Sequence, residues 1–440
     1  MSRVAIVGGG FTGLSAALEL SKKGYAVHIF ESEDDIGGLA GTFELEPGVR
    51  VEKFYHHWFS SDVHILTLIE ELGLLEKVTF KNSNTGFYYA NTIFRLSSPL
   101  DLLRFSPLPM LDRIRVGLMA LYARRIEDWK SLESQTAANW IIKVAGKRAF
   151  ETVWGPLLKG KFGSESEHVS AVWFWNKLKL RGGSRDSKGK EQLAYFDGTF
   201  GSLTDSIREA LLERGVEIHL NSSVERLLIE NGVTRGLRVN GEDFLCKKVL
   251  VTAPLPTFLE LTEELPPVYV EQLEKIRFLG NICLVLRLKK SLSDSYWLNV
   301  SDPDFPFVGI VEHTQIDSTA NYGDSHIVYL SKYLSIEDEL YSYSPEELLV
   351  FALPHIQRLF PEFQADWILQ SYLWKAKYSQ PVISLHYSEL VPDCLTPIEG
   401  LYLATMAQVY PEDRGTNYAV RLGKEAADEI ERGGQPKIIS

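Results

Sequence analysis

Six residues near the amino terminus, Gly8-Gly9-Gly10-Phe11-Thr12-Gly13, constrain this chain more than any other feature. They spell G-x-G-x-x-G between a predicted strand and a predicted helix. Val4 to Val7 is a short apolar run, and Leu14, Ala17, Leu18 and Leu20 then recur at helical spacing until Gly24 stops the helix. Val27 to Phe30 reads as a second strand, ending at Glu31. Strand, helix and strand fill the roughly 30 residues that a βαβ unit needs. A helical crossover requires the two strands to lie parallel.

Each glycine has a physical task in this setting. Gly8 permits the tight turn, Gly10 lets the backbone approach a diphosphate, and Gly13 lets the helix pack on the sheet. The exposed N–H groups and the dipole of the helix favour an anion there by about 0.3–1 kcal/mol, so the glycines matter chiefly by granting access. Glu31 stands 18 positions after Gly13, where a carboxylate accepts hydrogen bonds from ribose hydroxyls and repels a phosphate. The constellation points to the unphosphorylated adenosine half of a dinucleotide. The plainer alternative is an ordinary βαβ turn beside a surface glutamate.

At 440 residues the chain is long enough for two domains, each with its own core. After a helix from Asp62 to Leu72 the sequence turns irregular. The nucleotide-domain pattern returns from Gly198, with a helix over Leu203 to Arg214 and a strand over Glu217 to Leu220. Asn231-Gly232 and Asn240-Gly241 then predict two tight hairpins and a three-stranded meander before a strand at Val249 to Thr252. Between Gly280 and Gln380, runs such as Ile282 to Leu288 and a helix over Pro345 to Leu359 predict a second core of mixed sheet and helices. Gly400 to Ala404 restores a buried strand, and Asn417 to Ile430 forms the last helix. We therefore expect one domain from residues 1–80, 197–265 and 390–440, and a discontinuous α+β domain from 81–196 and 266–389.

A net charge of −12 opposes general attraction to nucleic acid or to an anionic membrane. Cys246, Cys283 and Cys394 are far apart, which suggests neither a disulfide framework nor a metal site, and fits reduced thiols in a cytoplasmic setting. No apolar run approaches the ~20 residues of a membrane span.

A second glycine cluster, Gly37-Gly38-Leu39-Ala40-Gly41-Thr42, follows the acid directly. With the late segment Gly400 to Ile430, this order of pieces resembles the flavin amine oxidase superfamily, which includes protoporphyrinogen oxidases, carotenoid desaturases and, more remotely, UDP-galactopyranose mutases. The resemblance implies an α/β fold: a Rossmann-like FAD-binding domain joined to a mixed α+β substrate domain, as in amine oxidases and Rab GDP-dissociation inhibitors. It implies non-covalent FAD held by Gly8, Gly10, Phe11, Thr12, Gly13, Glu31 and Ser32, with Gly37, Gly38, Leu39 and Ala40 near the phosphates and ribityl chain. Val224 would lie against the adenine, with Thr252, Ala253 and Pro254 at the same end. Thr405 and Met406 would meet the cofactor. The run Arg414 to Ala419, with Gly415, Thr416 and Asn417, matches the family's final helix, whose N–H groups face the flavin pyrimidine. There a positive dipole end stabilises negative charge on reduced flavin. Leu39 and Met406 depart from the basic and acidic residues that many relatives carry there, which would weaken the hold.

Other candidates admit two readings. His57, within Lys53 to Phe59, lies where mutases bring a histidine to the flavin, yet His56 and His57 equally suit hydrogen-bonded packing at a domain junction. Lys177, Lys179, Arg181, Arg185, Lys188 and Lys190 meet one acid, Asp186, and read either as a lid clamping an anionic substrate or as a solvated loop. Leu100 to Ile126, rich in Leu, Met and Phe with five arginines, reads as the roof of an apolar pocket or, within 99–126, as a peripheral membrane contact. The expected function is FAD-dependent oxidation of a small lipophilic or anionic molecule. The alternatives are a mutase-like isomerase and a non-catalytic binding protein of the dissociation-inhibitor kind.

Overall fold

The computed structural model describes residues 2–183, 192–302 and 304–434, without the side chains of 181–183. The first sheet contains β1 (Arg3–Val7), β2 (Ala26–Phe30), β3 (Glu217–His219), β4 (Lys248–Val251) and β5 (Leu401–Leu403) in spatial order β3-β2-β1-β4-β5. Every pairing in it is parallel. Strands buried on both faces must be apolar at successive positions, as the inner parts of β1, β4 and β5 are; β2 is interrupted by His28, and the edge strand β3 reads Glu-Ile-His. Val4, Ile6, Val27 and Ile29 pack beneath helices, while Ala5, Val7, Phe30, Val249 and Val251 pack into a second apolar cluster on the other face.

Helix α1 (Phe11–Lys22) and the last helix (Thr416–Arg432) pack against each other at very close range. A Cβ at Gly423 would overlap the Thr12 carbonyl oxygen, and Ser15 Oγ donates to the Val420 carbonyl at 2.9 Å. The far end of the chain is thereby locked beside the first glycine turn.

The meander runs Val224–Glu230, Val233–Val239 and Glu242–Leu245. Asn231, Gly232, Asn240 and Gly241 all take positive φ, between 51° and 78°, as two-residue hairpin turns demand. A seven-stranded sheet forms the second core, in order Ile368–Pro381, Phe278–Leu288, His326–Leu334, Gly309–Glu312, Trp297–Val300, Thr85–Tyr89, Thr92–Arg95. Ile282, Leu284, Leu286 and Leu288 turn one face toward the helix Pro345–Leu359.

Helices α2 (Pro99–Arg104), α3 (Met110–Arg125), α4 (Ala137–Ala145), α5 (Gly155–Phe162) and α6 (Ala171–Gly183) cover one end of that sheet. Just before α5 the chain widens into a π-turn over Phe150–Trp154. Pro156 cannot donate to the Thr152 carbonyl four residues back, and Ser301 Oγ occupies that carbonyl instead at 2.9 Å. The widened turn presents Val153 and Trp154 to the cavity described next. No helix among the described residues is long and apolar enough to cross a membrane.

Candidate active site

The glycine turn is held tightly at Gly8 and Gly13. Gly8 has φ +109°, and a Cβ there would lie 2.6 Å from Thr252 Oγ1, which itself hydrogen-bonds the Val7 and Gly8 carbonyls at 2.9 and 3.2 Å. A Cβ on Gly13 would overlap the Gly8 carbonyl oxygen. At Gly10 the situation is opposite: the nearest atom to an added Cβ is the Gly38 Cα, 4.0 Å away. Gly10 thus opens onto space in front of the first N–H groups of α1, from Phe11 to Gly13, which precede the helix's own i→i−4 bonding.

Glu31 is buried and turned inward. Its carboxylate accepts from Gly9 N–H at 2.6 Å, Glu33 N–H at 2.9 Å and Ser32 Oγ at 3.1 Å. A carboxylate has about four acceptor sites, so one is left for a ribose hydroxyl. The bond to Gly9 was not foreseen, and it explains the middle glycine, where a Cβ would lie 3.0 Å from Glu31 Oε2. Gly37 N–H in turn bonds the Gly9 carbonyl at 2.9 Å, so the second glycine cluster braces the first. Leu39 lines the cavity beyond, and Ala40 is buried. Ser222 N–H bonds the Glu31 carbonyl at 2.7 Å, which brings Val224 close to the end of β2. Thr252 and Ala253 follow β4 directly. Thr405 caps a single turn through Ala407 N–H at 3.2 Å, and neither it nor Met406 lines the cavity.

That cavity encloses about 370 Å³ between the seven-stranded sheet, α5, α6 and the amino end of the last helix. Gly415, Thr416, Asn417 and Tyr418 bring the amino end of the last helix to its wall. Trp58 Nε1 donates to Thr416 Oγ1 at 2.8 Å, and Asn417 Oδ1 accepts from His64 and Ile65 N–H groups at 2.9 and 3.1 Å. These bonds fix where the helix begins. Trp374 and Tyr378 do not line the cavity; their rings pack against Phe43 and Phe278.

The walls differ in character. Phe87, Leu96, Val153, Leu157, Phe174 and Leu178 make one region apolar. Opposite lies an ionic group that sequence patterning did not assemble: Asp413 pairs with Lys177 and, at 3.7 Å, with Lys161, beside Arg414. Burial alone would raise the Asp413 carboxyl, but Lys177, Lys161 and Arg414 hold it well below the usual carboxylate range. Burial lowers the Lys161 ammonium, which Asp413 opposes. Arg414 donates to Tyr333 Oη at 2.9 Å. Arg414 Nε, Asn281 Oδ1, Gln380 Oε1, Trp154 Nε1 and Trp173 Nε1 are buried around this cavity without a hydrogen-bond partner. Orphans of this kind are rare in native proteins, and their convergence marks a ligand site.

His57 lines the cavity with Nδ1 2.7 Å from Tyr296 Oη. His56 Nδ1 lies 2.7 Å from the Phe54 carbonyl. A carbonyl only accepts, so Nδ1 carries the proton and the ring is the neutral Nδ1–H tautomer. Burial pushes its pKa down to about 4, which removes it as a proton donor near neutrality. Of the basic run, Lys177 and Lys179 sit on α6, Lys179 over the Trp175 ring. Arg185, Asp186, Lys188, Lys190 and the side chain of Arg181 lie outside the described residues.

Asp62, also on the cavity wall, accepts from Phe59 N–H at 2.9 Å. Burial pushes its carboxyl up to about 6 from 3.8, against the opposing pull of that N–H and of Lys177. Because the folded value is raised, its contribution to stability is complete below about pH 4 and lost as pH rises through about 6. Asp62→Asn should therefore stabilise the protein near pH 7.5 by about 2–3 kcal/mol and change little near pH 4, in urea melts at both values. A gain of equal size at both would show that the carboxyl is not strained.

Two residues of the first sheet approach each other at its edge. Nδ1 of His28 lies 3.4 Å from Nε2 of His219, with Glu217 3.4 Å from the former. The ring centroids are 5.7 Å apart in nearly parallel planes. That separation exceeds the N···N distance by only two ring radii, so the nitrogens point head-on as an N–H···N pair rather than converging on a common ligand.

A family model described as flavin containing amine oxidoreductase matches residues 11–431. Of curated relatives, 4,4'-diapolycopen-4-al dehydrogenase of Metabacillus indicus is 25% identical over 285 residues, 58% of this chain and 56% of that one. Zeta-carotene desaturase of Arabidopsis thaliana is 22% identical over 261 residues, 54% and 46% of the two chains. The chain spans about half the length of the curated relatives it matches. Solved structures share the fold over nearly their whole length. A candidate protoporphyrinogen oxidase from Exiguobacterium sp. 255-15 has TM-score 0.77 at 19% identity, covering 98% of this chain and 99% of that one. Cyclohexylamine oxidase from Brevibacterium oxydans IH-35A has TM-score 0.70 at 17% identity, covering 98% and 99%. With a match that begins at the first residue of α1 and ends in the last turn of the last helix, this chain belongs to the flavin containing amine oxidoreductase family, and its cofactor is FAD.

Proposed function

We propose that the chain is an FAD-dependent oxidoreductase acting on an elongated, largely apolar small molecule that carries one anionic group. Gly10, with Phe11, Thr12 and Gly13, receives the diphosphate, and Glu31 offers its remaining acceptor site to the ribose. Gly37, Gly38, Leu39 and Ala40 back the ribityl chain, and Val224, Thr252 and Ala253 flank the adenine end. Gly415, Thr416 and Asn417 place the positive end of the last helix at the ring system. None of the three cysteines lines the cavity, which supports non-covalent attachment. Bound FAD supplies an acceptor for the equivalent of a hydride from a substrate carbon. The protein's part is to position that carbon, exclude water with the apolar wall and orient the anion.

The observation that carries the substrate class is the imbalance of charge at one end of an otherwise apolar cavity. Lys161 and Lys177 share the carboxylate of Asp413 and Arg414 adds a third cation, so three cations outnumber the two carboxylates, Asp413 and Asp62, on the cavity wall. Those cations disfavour a protonated amine. The apolar wall agrees with the desaturase relatives, whose names specify carotenoid substrates.

Titration of the FAD-loaded protein with a medium-chain fatty acid and with its methyl ester, followed by fluorescence of the cavity tryptophans, tests this. The acid should bind at least about tenfold more tightly, since a charge-assisted hydrogen bond contributes roughly 1.5–3 kcal/mol. Lys161→Met should erase most of that preference. Equal affinity for acid and ester in the parent would refute an anion subsite.

A further inference from the structure

We propose that the outer face of α2 and α3 is a docking surface for an anionic phospholipid bilayer, a proposal independent of the substrate assigned above. Leu100, Leu103, Met110, Leu111, Ile114, Leu118, Leu121 and Tyr122 are all exposed, Leu111 by 76% and Leu118 by 58%. A monomer scatters such residues singly, whereas these eight lie within 23 positions of one another. At 3.6 residues per turn, the six on α3 fall within an arc of about 120°. Val116, Met119 and Ala123, its buried residues, point the opposite way. A helix apolar on two opposite sides belongs inside an apolar environment on both. The protein supplies one of them, through α6, whose Trp175 Nε1 donates to the Ala123 carbonyl at 2.8 Å.

Charge identifies the other. Arg115 and Arg124 flank the apolar arc, Arg125 stands within it at the carboxyl end of α3, Arg104 ends α2, and Lys143, Lys147 and Arg148 extend the basic surface along α4 and the turn after it, all of them exposed. Residues 99–149 hold nine basic and five acidic side chains, in a chain whose net charge is −12. A positive rim around a protruding apolar face complements anionic headgroups over acyl chains. Arg113 is differently employed: it donates to the Leu103 and Leu108 carbonyls, both at 2.6 Å, and so holds α2 and α3 as one rigid unit. Behind the surface, Tyr122 stacks on Trp140, and Trp140 packs edge-on against Phe174 in the cavity wall. One layer of aromatic side chains separates the docking face from the site.

Flotation of the FAD-loaded full chain with vesicles of phosphatidylcholine, alone or mixed with phosphatidylglycerol, tests the surface. The chain should float with the mixed vesicles and far less with the neutral ones. Arg115→Gln/Arg124→Gln/Arg125→Gln should cut partitioning roughly a hundredfold, at about fivefold per arginine. Leu111→Gln/Leu118→Gln should cut it roughly tenfold or more with an unchanged melting temperature, because both side chains already face solvent. Failure of the parent to float, or flotation of both variants like the parent, would overturn the proposal. So would a concentration-dependent dimer, without lipid binding, that the leucine pair dissolves, since the face would then belong to a second copy.

Discussion

The Gly10→Ala variant is expected to fold as the parent does and yet to purify without FAD. An added Cβ at Gly10 meets nothing nearer than 4.0 Å, so the polypeptide has room for it. That room is the approach to the N–H groups opening α1, and a methyl group there holds a diphosphate out of hydrogen-bond range. Loss of those bonds should weaken FAD by a hundredfold or more, about 3 kcal/mol. Comparing visible spectra with apoprotein melting curves checks both halves. Gly13→Ala is the contrast: its Cβ overlaps the Gly8 carbonyl oxygen, so this variant should lose fold stability as well, by about 1–3 kcal/mol. If the Gly10 variant retained yellow colour at parental affinity, the diphosphate would lie elsewhere.

Asp413→Ala should be the most destabilising single change in the cavity, costing about 3–5 kcal/mol in urea denaturation of the apoprotein. The substitution removes the carboxylate that Lys161 and Lys177 share, beside a partly buried Arg414. The sign of the pH effect follows from the depressed carboxyl. Stability from a depressed acid is present above its unfolded value near 4 and lost as pH falls through the folded value. The parent should therefore weaken on acidification more steeply than the variant. A second substitution, Lys161→Met, should restore part of the loss by removing the cation left uncompensated. Additive losses in the double variant would show that the two charges are not coupled.

Local chemistry wrote the legible parts of this structure. The helix Pro345–Leu359 agrees end to end with its expected range. Ser344 and Glu347 bond each other's backbone N–H groups at 3.2 and 2.8 Å, and Pro345 occupies the first turn, so every start signal lies within four residues. The two Asn-Gly turns were equally local. Leu100 to Ile126 is not one element, because Pro107 and Pro109 lie between α2 and α3, a division that apolar periodicity conceals.

The cavity's charge was illegible for a different reason. Lys161, Lys177 and Asp413 are brought together only by the tertiary fold, and Asp413 stands one residue before the run Arg414 to Ala419 to which the resemblance assigns a role. The same holds for Glu52, fully buried, which accepts from Tyr195 Oη at 2.7 Å and Phe200 N–H at 2.9 Å. Nothing around Glu52 in sequence distinguishes it from a surface glutamate. By contrast, Glu31 was legible because its partners are fixed by the βαβ unit itself, and only its extra bond to Gly9 required coordinates.

Anaerobic mixing of the FAD-loaded enzyme with apolar carboxylates, polyenes, amines and nucleotide sugars, one at a time, probes the central claim most directly. We expect stoichiometric loss of the oxidised-flavin absorbance with an apolar anionic member of the panel, without any prior reductant. Turnover that begins only after the flavin has first been reduced, with no bleaching by any member, would contradict the account and favour an isomerase.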